Sequence, residues 1–371
     1  MYVCSGICFA YGRGEGDCKI IIKLAGRLKI LKKTEKKIYA GILALIAVLF
    51  CVNLFYGSVS IPANKVIDIL CGKEVERQAW TNIVLQSRLP QAVVALLAGA
   101  SLAVCGLMLQ TLFQNPLAGP SILGISDGAN LGVAVTMLYF GGNIGFGSVS
   151  LGNNLSIVFS ALVGASTMLG LIIYFSTKVK NSIMILIIGM MMGYLASSGI
   201  AILNFSSTAE GVRSFVMWGM GNFSGVALKQ IPFFVSVIVI GLILSVILIK
   251  PLNALLLGER YAANLGINIT RSRLLILFCT GLLTGTVTAF CGPISFIGLA
   301  VPHIARLLLG TSNNKSLVPV TLLLGSVIAL LCNVMTILPF SNKVLPLNAI
   351  TPLIGAPVII YVIINRKNIQ Y

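Results

Sequence analysis

Few residues in this chain could carry chemistry. The 371 residues include a single histidine, His303, and no Gly-x-x-x-x-Gly-Lys-Ser/Thr phosphate loop, so a bound ATP would need another subunit. A nucleophilic hydrolase needs a base beside its nucleophile, and one histidine offers little choice. Asp127 is the one acidic residue near an apolar segment, whereas proton-coupled and ion-coupled transporters usually bury several carboxylates. The chain is therefore not expected to be an enzyme, and an autonomous proton-driven transporter is a weak alternative.

Composition shows what kind of element must position these residues. Hydrophobic residues make up 57% of the chain and charged residues only 9%, with a mean hydropathy of +1.00. A soluble domain carries roughly 25% charged residues. The 26 Lys and Arg exceed the 9 Asp and Glu and give a net charge of +17. This balance excludes an ordinary water-soluble enzyme, a disordered chain and a nucleic-acid-binding protein, and it points to a membrane protein.

Apolar runs of roughly the 20 residues that cross a bilayer core predict the helices. The runs fall near 38–56, 89–111, 122–140, 155–176, 183–204, 231–249, 273–291, 294–310, 317–337 and 351–365. Gly292-Pro293 divides one long apolar stretch into two, because this pair breaks a helix. The predicted fold class is an all-α integral membrane protein with about ten transmembrane helices.

The basic residues give this count an independent test, since Lys and Arg concentrate in cytoplasmic loops. Ten spans place both termini on the same side of the membrane. Nineteen of the 26 Lys and Arg then fall on the side of the termini, and seven fall on the other side. We therefore expect a multi-pass protein of the inner, cytoplasmic membrane, with both termini cytoplasmic, surrounded by lipid and without a nucleic-acid partner.

Two domains are predicted from these patterns. Residues 1–37 form a basic cytoplasmic tail, and residues 38–371 form the ten-helix domain, with a first repeat at about 38–206 and a second at about 231–365. The tail has three cysteines but no nearby fourth ligand, so no metal site is expected there. Five cysteines inside apolar runs are expected to be small buried hydrophobic residues: Cys51, Cys105, Cys279, Cys291 and Cys332.

An internal repeat relates the two halves of the ten-helix domain. Residues 95–126 match residues 281–312 without a gap at ten of 32 positions. The copies begin at the second and seventh spans, and this odd separation means that they cross the membrane in opposite directions. Transporters use inverted repeats to build a path between the halves, close to segments interrupted by Gly and Pro. Pro116 and Pro302 mark such segments at equivalent positions.

Four stretches carry a resemblance to a known family. They are Arg88-Leu-Pro, Asn115-Pro-Leu-Ala118 and Leu123-Gly-Ile-Ser126; Leu257-Gly-Glu-Arg260 with Leu265-Gly-Ile-Asn268; Gly292-Pro-Ile-Ser-Phe-Ile-Gly-Leu299 with Val301-Pro-His-Ile-Ala-Arg306; and Leu345-Pro-Leu with Gly355-Ala-Pro357. The pattern closely resembles the FecCD/BtuC-type permease subunits of ABC importers for iron–siderophore complexes, haem or vitamin B12. The resemblance covers nearly everything after Tyr39, and its most diagnostic residues are Gly292, Pro293, Pro302, His303 and Arg306.

The resemblance implies a set of partners. Two copies of the permease would assemble as a homodimer with two cytoplasmic ATPase subunits, which bind ATP and Mg, and with an extracytoplasmic substrate-binding protein. This chain would bind no cofactor or metal and would form the translocation path. The implied cargo is an iron chelate, in the first place an iron–siderophore complex, with haem and cobalamin as alternatives.

The resemblance also assigns roles to residues. The segment between the sixth and seventh spans would seat in a cleft of the ATPase through Leu257, Gly258, Glu259, Arg260, Ala262, Ala263, Leu265, Gly266 and Arg271. Within it, Ala262, Ala263 and Leu265 are expected to form a small apolar face. The cytoplasmic gate would consist of Asn115, Pro116, Leu117, Asn181 and Ser182. Uncharged side chains suit a gate that closes without holding a large solute.

Docking of the binding protein is assigned by the resemblance to Arg88 and Lys343. Two positions depart from the family pattern, because Gln91 stands where a second arginine is common and Asn333 stands where an acidic residue is frequent. His303 follows a proline near a helix end, so we expect a structural hydrogen bond from it rather than ligation of a haem or metal.

Overall fold

The computed structural model describes residues 15–73, 75, 77–142, 145–146, 149–150, 153–179, 181–337 and 344–364. The chain divides into two compact units, residues 1–45 and 46–371. Helix α1 covers Glu15–Phe55, so the domain boundary predicted between residues 37 and 38 lies within a helix.

The described residues after α1 are mostly helical. The helices are α2 (Ala63–Leu70), α3 (Gln78–Asn82), α4 (Leu89–Leu112), α5 (Ile125–Ala134), α6 (Asn153–Lys178), α7 (Ser182–Ser206), α8 (Ala209–Gly219), α9 (Ile231–Ile247), α10 (Ile249–Leu255), α11 (Glu259–Asn264), α12 (Ile269–Cys291), α13 (Ile297–Leu309), α14 (Asn314–Met335) and α15 (Leu347–Ile364). Turns of π-helix at Ile83–Arg88 and Val135–Tyr139 join α3 to α4 and extend α5. Strands β1 (Gly145–Phe146) and β2 (Val149–Ser150) form a small antiparallel hairpin, with Gly145 opposite Ser150.

Seven described helices are long and apolar enough to cross a membrane. They are Glu35–Phe55, Gln78–Leu112, Asn154–Lys178, Ser182–Ser206, Leu228–Ile247, Ile269–Cys291 and Asn314–Met335. The spans predicted at 122–140, 294–310 and 351–365 fall on the shorter helices α5, α13 and α15. The helical membrane fold is thus as predicted, while the count of ten spans and the orientation of the termini stay predictions.

Helices α4 and α12 form the centre of the larger unit. The buried share of the apolar stretch is 83% for Gln78–Leu112 and 78% for Ile269–Cys291, against 22% for Leu228–Ile247. Helix α4 packs along α14, and α12 packs along α6. Glycines allow this packing, because a Cβ atom added at Gly99 would lie 2.2 Å from the carbonyl oxygen of Gly325.

The two repeat copies run in opposite directions through this centre. Helix α4 ends beside the segment that leads into α12, since Gln114 Nε2 donates to the Leu255 carbonyl oxygen at 2.9 Å. Helix α12 therefore begins at the end of the bundle where α4 finishes. The partners of the two helices, α14 and α6, hold equivalent places in the two repeats, so the packing agrees with the inversion inferred from the sequence.

The cysteines follow the prediction with one correction. Cys105, Cys279, Cys291 and Cys332 are buried, whereas Cys51 is exposed on α1. An apolar neighbourhood in a membrane helix does not imply burial in protein, because the outer face of such a helix is as apolar as its inner face.

Candidate gate and coupling site

Most of the predicted site residues lie at one end of the helix bundle, which we call the coupling end. It contains the C-terminus of α4, the loop 113–119, the segment 249–268 and the start of α7. A cavity of about 340 Å³ opens there, and its lining includes Gln110, Gln114, Pro116, Leu257, Gly258 and Arg306. The predicted gate loop and the predicted coupling segment therefore face a common space.

The gate loop takes its shape from Asn115 and Pro116. Asn115 Oδ1 accepts a hydrogen bond from the Leu117 amide at 2.9 Å, an Asx turn that suits an Asn-Pro pair. His303 Nε2 lies 2.8 Å from the Pro116 carbonyl oxygen and is its donor, because a carbonyl can only accept. Leu117 remains 44% exposed. The prediction that His303 has a structural role thus agrees with the geometry.

Arg306 anchors the end of α4 from inside the protein. Its Nη1 donates to Gln110 Oε1 at 2.6 Å, and Gln110 Nε2 donates to the Leu299 carbonyl oxygen at 3.2 Å. Arg306 is 6% exposed and Gln110 is 4% exposed. Arg306 lies within α13, inside the span predicted at 294–310. A buried guanidinium needs such polar partners because burial removes its water.

The predicted coupling residues begin at Leu257 and include the short helix α11, and the short helix α10 precedes them. Asn268 caps the following helix, since its Oδ1 accepts from the Arg271 amide at 2.9 Å. Ala262 is fully buried, whereas Ala263 is exposed, so the predicted face of Ala262, Ala263 and Leu265 is wrong. The exposed apolar residues recur every four positions instead and are Leu257 (62%), Tyr261 (59%) and Leu265 (59%). Tyr261 was missed because its apolar ring was not counted with the small residues.

Glu259 connects the coupling segment to the second part of the predicted gate. Ser182 Oγ donates to Glu259 Oε1 at 2.5 Å, and Arg273 Nη2 donates to the same oxygen at 2.9 Å. Arg273 Nη1 also donates to the Val179 carbonyl oxygen at 3.2 Å. Asn181 caps α7 through a 2.9 Å bond from the Ile183 amide. Sequence reasoning placed Glu259 and Ser182 in separate groups, and the fold brings them together.

Gln114, beside the predicted gate residue Asn115, contacts α10, the helix that precedes the predicted coupling residues. Gln114 has a φ of +48°, which turns the chain out of α4. This turn aims its side-chain amide at the C-terminus of α10, where Nε2 donates to the Leu255 carbonyl oxygen at 2.9 Å. The same carbonyl oxygen also accepts from the Gly258 amide at 3.0 Å, so Gln114 adds a second hydrogen bond at the end of α10. Both predicted gate elements are therefore hydrogen-bonded to the segment 249–264.

The docking prediction for Arg88 does not agree with the structure. Arg88 is only 5% exposed. Its Nη1 donates to the carbonyl oxygens of Leu54 and Phe55 at 2.9 and 3.1 Å, and its Nη2 donates to that of Val59. A positive group suits the C-terminus of α1, which leaves carbonyls unpaired. The guanidinium is therefore occupied inside the protein, and the other predicted docking residue, Lys343, lies outside the described residues.

The Gly292-Pro293 pair of the family motif lies in a polar joint at the other end of the bundle. Helix α12 ends at Cys291, as the Gly292-Pro293 pair predicted. The Asn222 amide donates to the Cys291 carbonyl oxygen at 2.9 Å, and Asn348 Nδ2 donates to that of Pro293 at 2.7 Å. Pro302 is buried within α13. The helix break is thus held by chain segments on both sides, including α15.

A further serine pattern was overlooked in the sequence. Gly124-Ile-Ser-Asp-Gly128 has the Gly-x-Ser-x-Gly spacing of a nucleophile elbow. Ser126 Oγ lies 3.2 Å from Thr288 Oγ1, however, and His303 is bonded to Pro116 rather than to this serine. The pattern therefore joins α5 to α12 and has no base beside it in the described structure. Within the described ranges, no group of three or more His, Cys, Asp or Glu could hold a metal ion.

Comparison with known proteins decides the family. The FecCD transport family matches residues 45–365. This chain belongs to the FecCD transport family. It is 34% identical over 290 residues to a vitamin B12 import system permease protein BtuC of Photorhabdus laumondii, covering 77% of this chain and 82% of that protein. It is 33% identical to the protein of the same name from Citrobacter koseri, over 76% of this chain and 83% of the relative.

The fold of this FecCD chain also has a solved counterpart. A structure described as an inward-facing conformation of a metal-chelate type ABC transporter aligns with a TM-score of 0.76 and 29% sequence identity, over 90% of this chain and 99% of that chain. The chain is therefore a multi-pass membrane permease subunit of the FecCD/BtuC type, as the sequence motifs indicated.

The two departures from the FecCD pattern contact each other. Gln91 Nε2 donates to Asn333 Oδ1 at 2.9 Å, and Asn333 Nδ2 donates to Asn53 Oδ1 at 2.6 Å. Asn53 Nδ2 in turn donates to the carbonyl oxygens of Leu49 and Leu330. Three neutral amides thus satisfy one another between α1, α4 and α14. The positive charge expected at position 91 and the negative charge expected at position 333 are both absent. The two losses are consistent with each other because the two positions form one contacting pair.

Proposed function

We propose that this chain is the permease of an ATP-driven importer in the inner membrane, with the coupling end in the cytoplasm. Two copies would line a path for a metal chelate, two ATPase subunits would bind ATP and Mg, and a binding protein would deliver the cargo from outside. Alternating access would then arise from movement of the paired permeases about this path. This chain would form no covalent bond with its cargo and would bind no cofactor.

One observation carries this proposal. The segment 249–264 is hydrogen-bonded both to the gate loop, through Gln114 and Leu255, and to the start of α7, through Glu259 and Ser182. A motor that displaced this segment would therefore pull on both gate elements at once. An autonomous secondary transporter has no need for such a linkage at one face of the membrane.

The exposed surface of the segment suits a protein partner. Leu257, Tyr261 and Leu265 are each about 60% exposed, with Tyr261 on the short helix α11 and the two leucines on either side of it. Exposed apolar side chains on a short helix and its flanks can fill a hydrophobic groove of a partner. We assign this stripe to the cleft of the ATPase, with Arg260 and Arg271 at its charged margin.

The cargo we propose first is an iron chelate, and an iron–siderophore complex in particular. Cobalamin is a second candidate because two curated relatives at 33% and 34% identity are named as vitamin B12 permeases. Uptake of radiolabelled cobalamin and of a radiolabelled ferric siderophore by cells that carry only this importer would separate the two. Preference for cobalamin would refute the iron assignment and leave the transport mechanism intact.

Reconstitution in liposomes tests the ATP-driven mechanism. The chain is purified with its ATPase and binding protein, and cargo uptake is followed with ATP alone, with a proton gradient alone and with both. We expect uptake that requires ATP and persists when the proton gradient is dissipated. Uptake that continues without ATP and stops with the gradient would support the secondary transporter, in which Asp127 on α5 would be the acidic residue to examine.

Gly266 gives a local test of the coupling segment. It has a φ of +79° and open space around it, so Asp and Asn both fit the turn with similar ease. We expect Gly266→Asp to weaken ATPase binding by placing a charge beside the apolar stripe, whereas Gly266→Asn keeps the complex. Co-purification of the ATPase with each variant is the measurement. Equal recovery of ATPase with both variants would contradict the assignment.

A further inference from the structure

We propose that Glu259 is a positioning residue that makes α11 and the α6–α7 connection move as one body, and this inference rests on the proposed function. The position of Glu259 on the coupling segment first suggests that its carboxylate binds the ATPase, but the carboxylate is hydrogen-bonded within this chain. One oxygen, Oε1, receives both the Ser182 hydroxyl at 2.5 Å and Arg273 Nη2 at 2.9 Å. Three separate elements, α7, α11 and α12, thus meet at a single oxygen atom.

The helix that carries Glu259 cannot fix its own position. Helix α11 has only 6 residues, and helices shorter than about 12 residues are marginal on their own. Its neighbours along the chain, Leu257 and Leu265, are exposed, and inside the helix Ala262 is fully buried. The side chain of Glu259 adds the polar contacts that tie this short helix to the larger body.

The connection between α6 and α7 is held at both of its ends by the same ion pair. Arg273 reaches the Val179 carbonyl oxygen at 3.2 Å, just after α6 ends. Glu259 holds Ser182 at the first residue of α7. A displacement of α11 is therefore transmitted to Val179 and to Ser182, which lie at the end of α6 and the start of α7.

Burial makes this joint stiff. The Arg273 side chain is 5% exposed and the Glu259 side chain is 38% exposed. A buried guanidinium strongly prefers to stay beside its carboxylate, because separating them would leave a charge without water. A second described ion pair, Lys73 with Asp68, is 71% and 32% exposed and lies on α2 and the turn after it. Its cation, Lys73, lacks the burial that Arg273 has, so we do not expect that pair to transmit movement.

The proposal predicts loss of coupling rather than simple loss of the complex. The variants are Glu259→Gln, which removes the charge but keeps an acceptor, and Ser182→Ala, which removes the hydroxyl and leaves the ion pair in place. Asp68→Asn is the matched control, since it removes the acid of the exposed pair. Each complex is reconstituted, and cargo transported per ATP hydrolysed is measured. We expect this ratio to fall roughly tenfold in Glu259→Gln and Ser182→Ala, and not in Asp68→Asn.

A charge exchange separates positioning from mere stability. Glu259→Arg combined with Arg273→Glu restores an ion pair between α11 and α12 but not the hydrogen bond to the Val179 carbonyl oxygen, because a carboxylate cannot donate. The double variant should therefore regain only part of the coupling that each single variant has lost. If Glu259→Gln does not assemble, Ser182→Ala decides the matter, because it keeps the buried charges paired. A ratio of transport to hydrolysis within about twofold of the parent complex in assembled Ser182→Ala would overturn the proposal. ATP-independent uptake by the parent complex would instead overturn the proposed function.

Discussion

The two copies of the internal repeat use the same residues in different ways. Gly106 and Gly292 are equivalent, yet Gly106 lies within α4 against Gly298, whereas Gly292 follows the end of α12. The prolines differ as well, because Pro116 lies in an open loop and Pro302 lies inside α13. The first copy therefore makes a long helix followed by a loop, and the second makes a helix, a break and another helix.

The difference gives the copies complementary roles. The loop of the first copy presents Leu117 to solvent, and the second copy places His303 at the equivalent position. His303 holds the loop by its Pro116 carbonyl, and Arg306 holds the helix end by Gln110. Under the function proposed above, the first copy would supply the moving gate loop and the second copy its support. Duplicated sequences can diverge in this way when one end of the membrane needs a gate.

The largest effect is expected where the first copy packs most closely. A Cβ atom at Gly106 would lie 1.6 Å from the Gly298 carbonyl oxygen, so Gly106→Ala must push α4 away from α13. We expect a destabilisation of about 3 kcal/mol or more, and little folded protein. The yield of monodisperse protein in detergent and its thermal unfolding are the measurements. Gly170→Ala is the control, since Gly170 has open space around it and should tolerate the change. Normal folding of Gly106→Ala would show that the crossing is looser than described.

An equivalent pair of glycines compares the copies directly. A Cβ atom at Gly99 would lie 2.2 Å from the backbone oxygen of Gly325, whereas one at Gly285 would lie 3.1 Å from the Ala165 methyl group. At 3.1 Å the helix that carries the Ala165 methyl group needs to give way by only a few tenths of an ångström, whereas at 2.2 Å α4 and α14 must separate much further. We therefore expect Gly99→Ala to cost about 2 to 3 kcal/mol and Gly285→Ala less than about 1 kcal/mol. Thermal unfolding of both variants tests this order, and equal losses would mean that the copies pack alike.

The sequence predicted the parts of this arrangement that depend on local patterns. The break after Cys291 followed from Gly292-Pro293, and the extent of α4 followed from the apolar run at 89–111. The sequence could not show that Arg88 is buried, because a charged residue at the boundary of a span is expected to be exposed when its carbonyl partners are unknown. The meeting of Glu259 with Ser182 depends on how distant helices pack. No pattern within either segment contains that information.

A second equivalent pair separates conformation from packing. Gly124 and Gly310 have φ values of +73° and +59°, and Gly124 begins α5 whereas Gly310 ends α13. A Cβ atom at Gly124 would lie 2.8 Å from the Gly189 carbonyl oxygen, while Gly310 has open space around it. Gly310→Ala should therefore lower the free energy of unfolding by only about 1 kcal/mol, which is the cost of a positive φ for alanine. Gly124→Ala should lower it by about 1 kcal/mol more because of the added close contact. Gly310→Asn, which tolerates this backbone, serves as control in thermal unfolding.

A small effect on stability is expected at His303, and its effect on transport should be larger. His303→Leu gives the second copy the residue that the first copy has at Leu117 and removes the donor to the Pro116 carbonyl oxygen. Losing one hydrogen bond should cost about 1 kcal/mol, measured by thermal unfolding. His303→Gln, which retains a donor, is the matched control. If the second copy supports the gate, His303→Leu should raise leakage of a small solute from liposomes without ATP, while His303→Gln stays closer to the parent. Equal leakage from both variants and the parent would show that the loop is held by Asn115 and Gln114 alone.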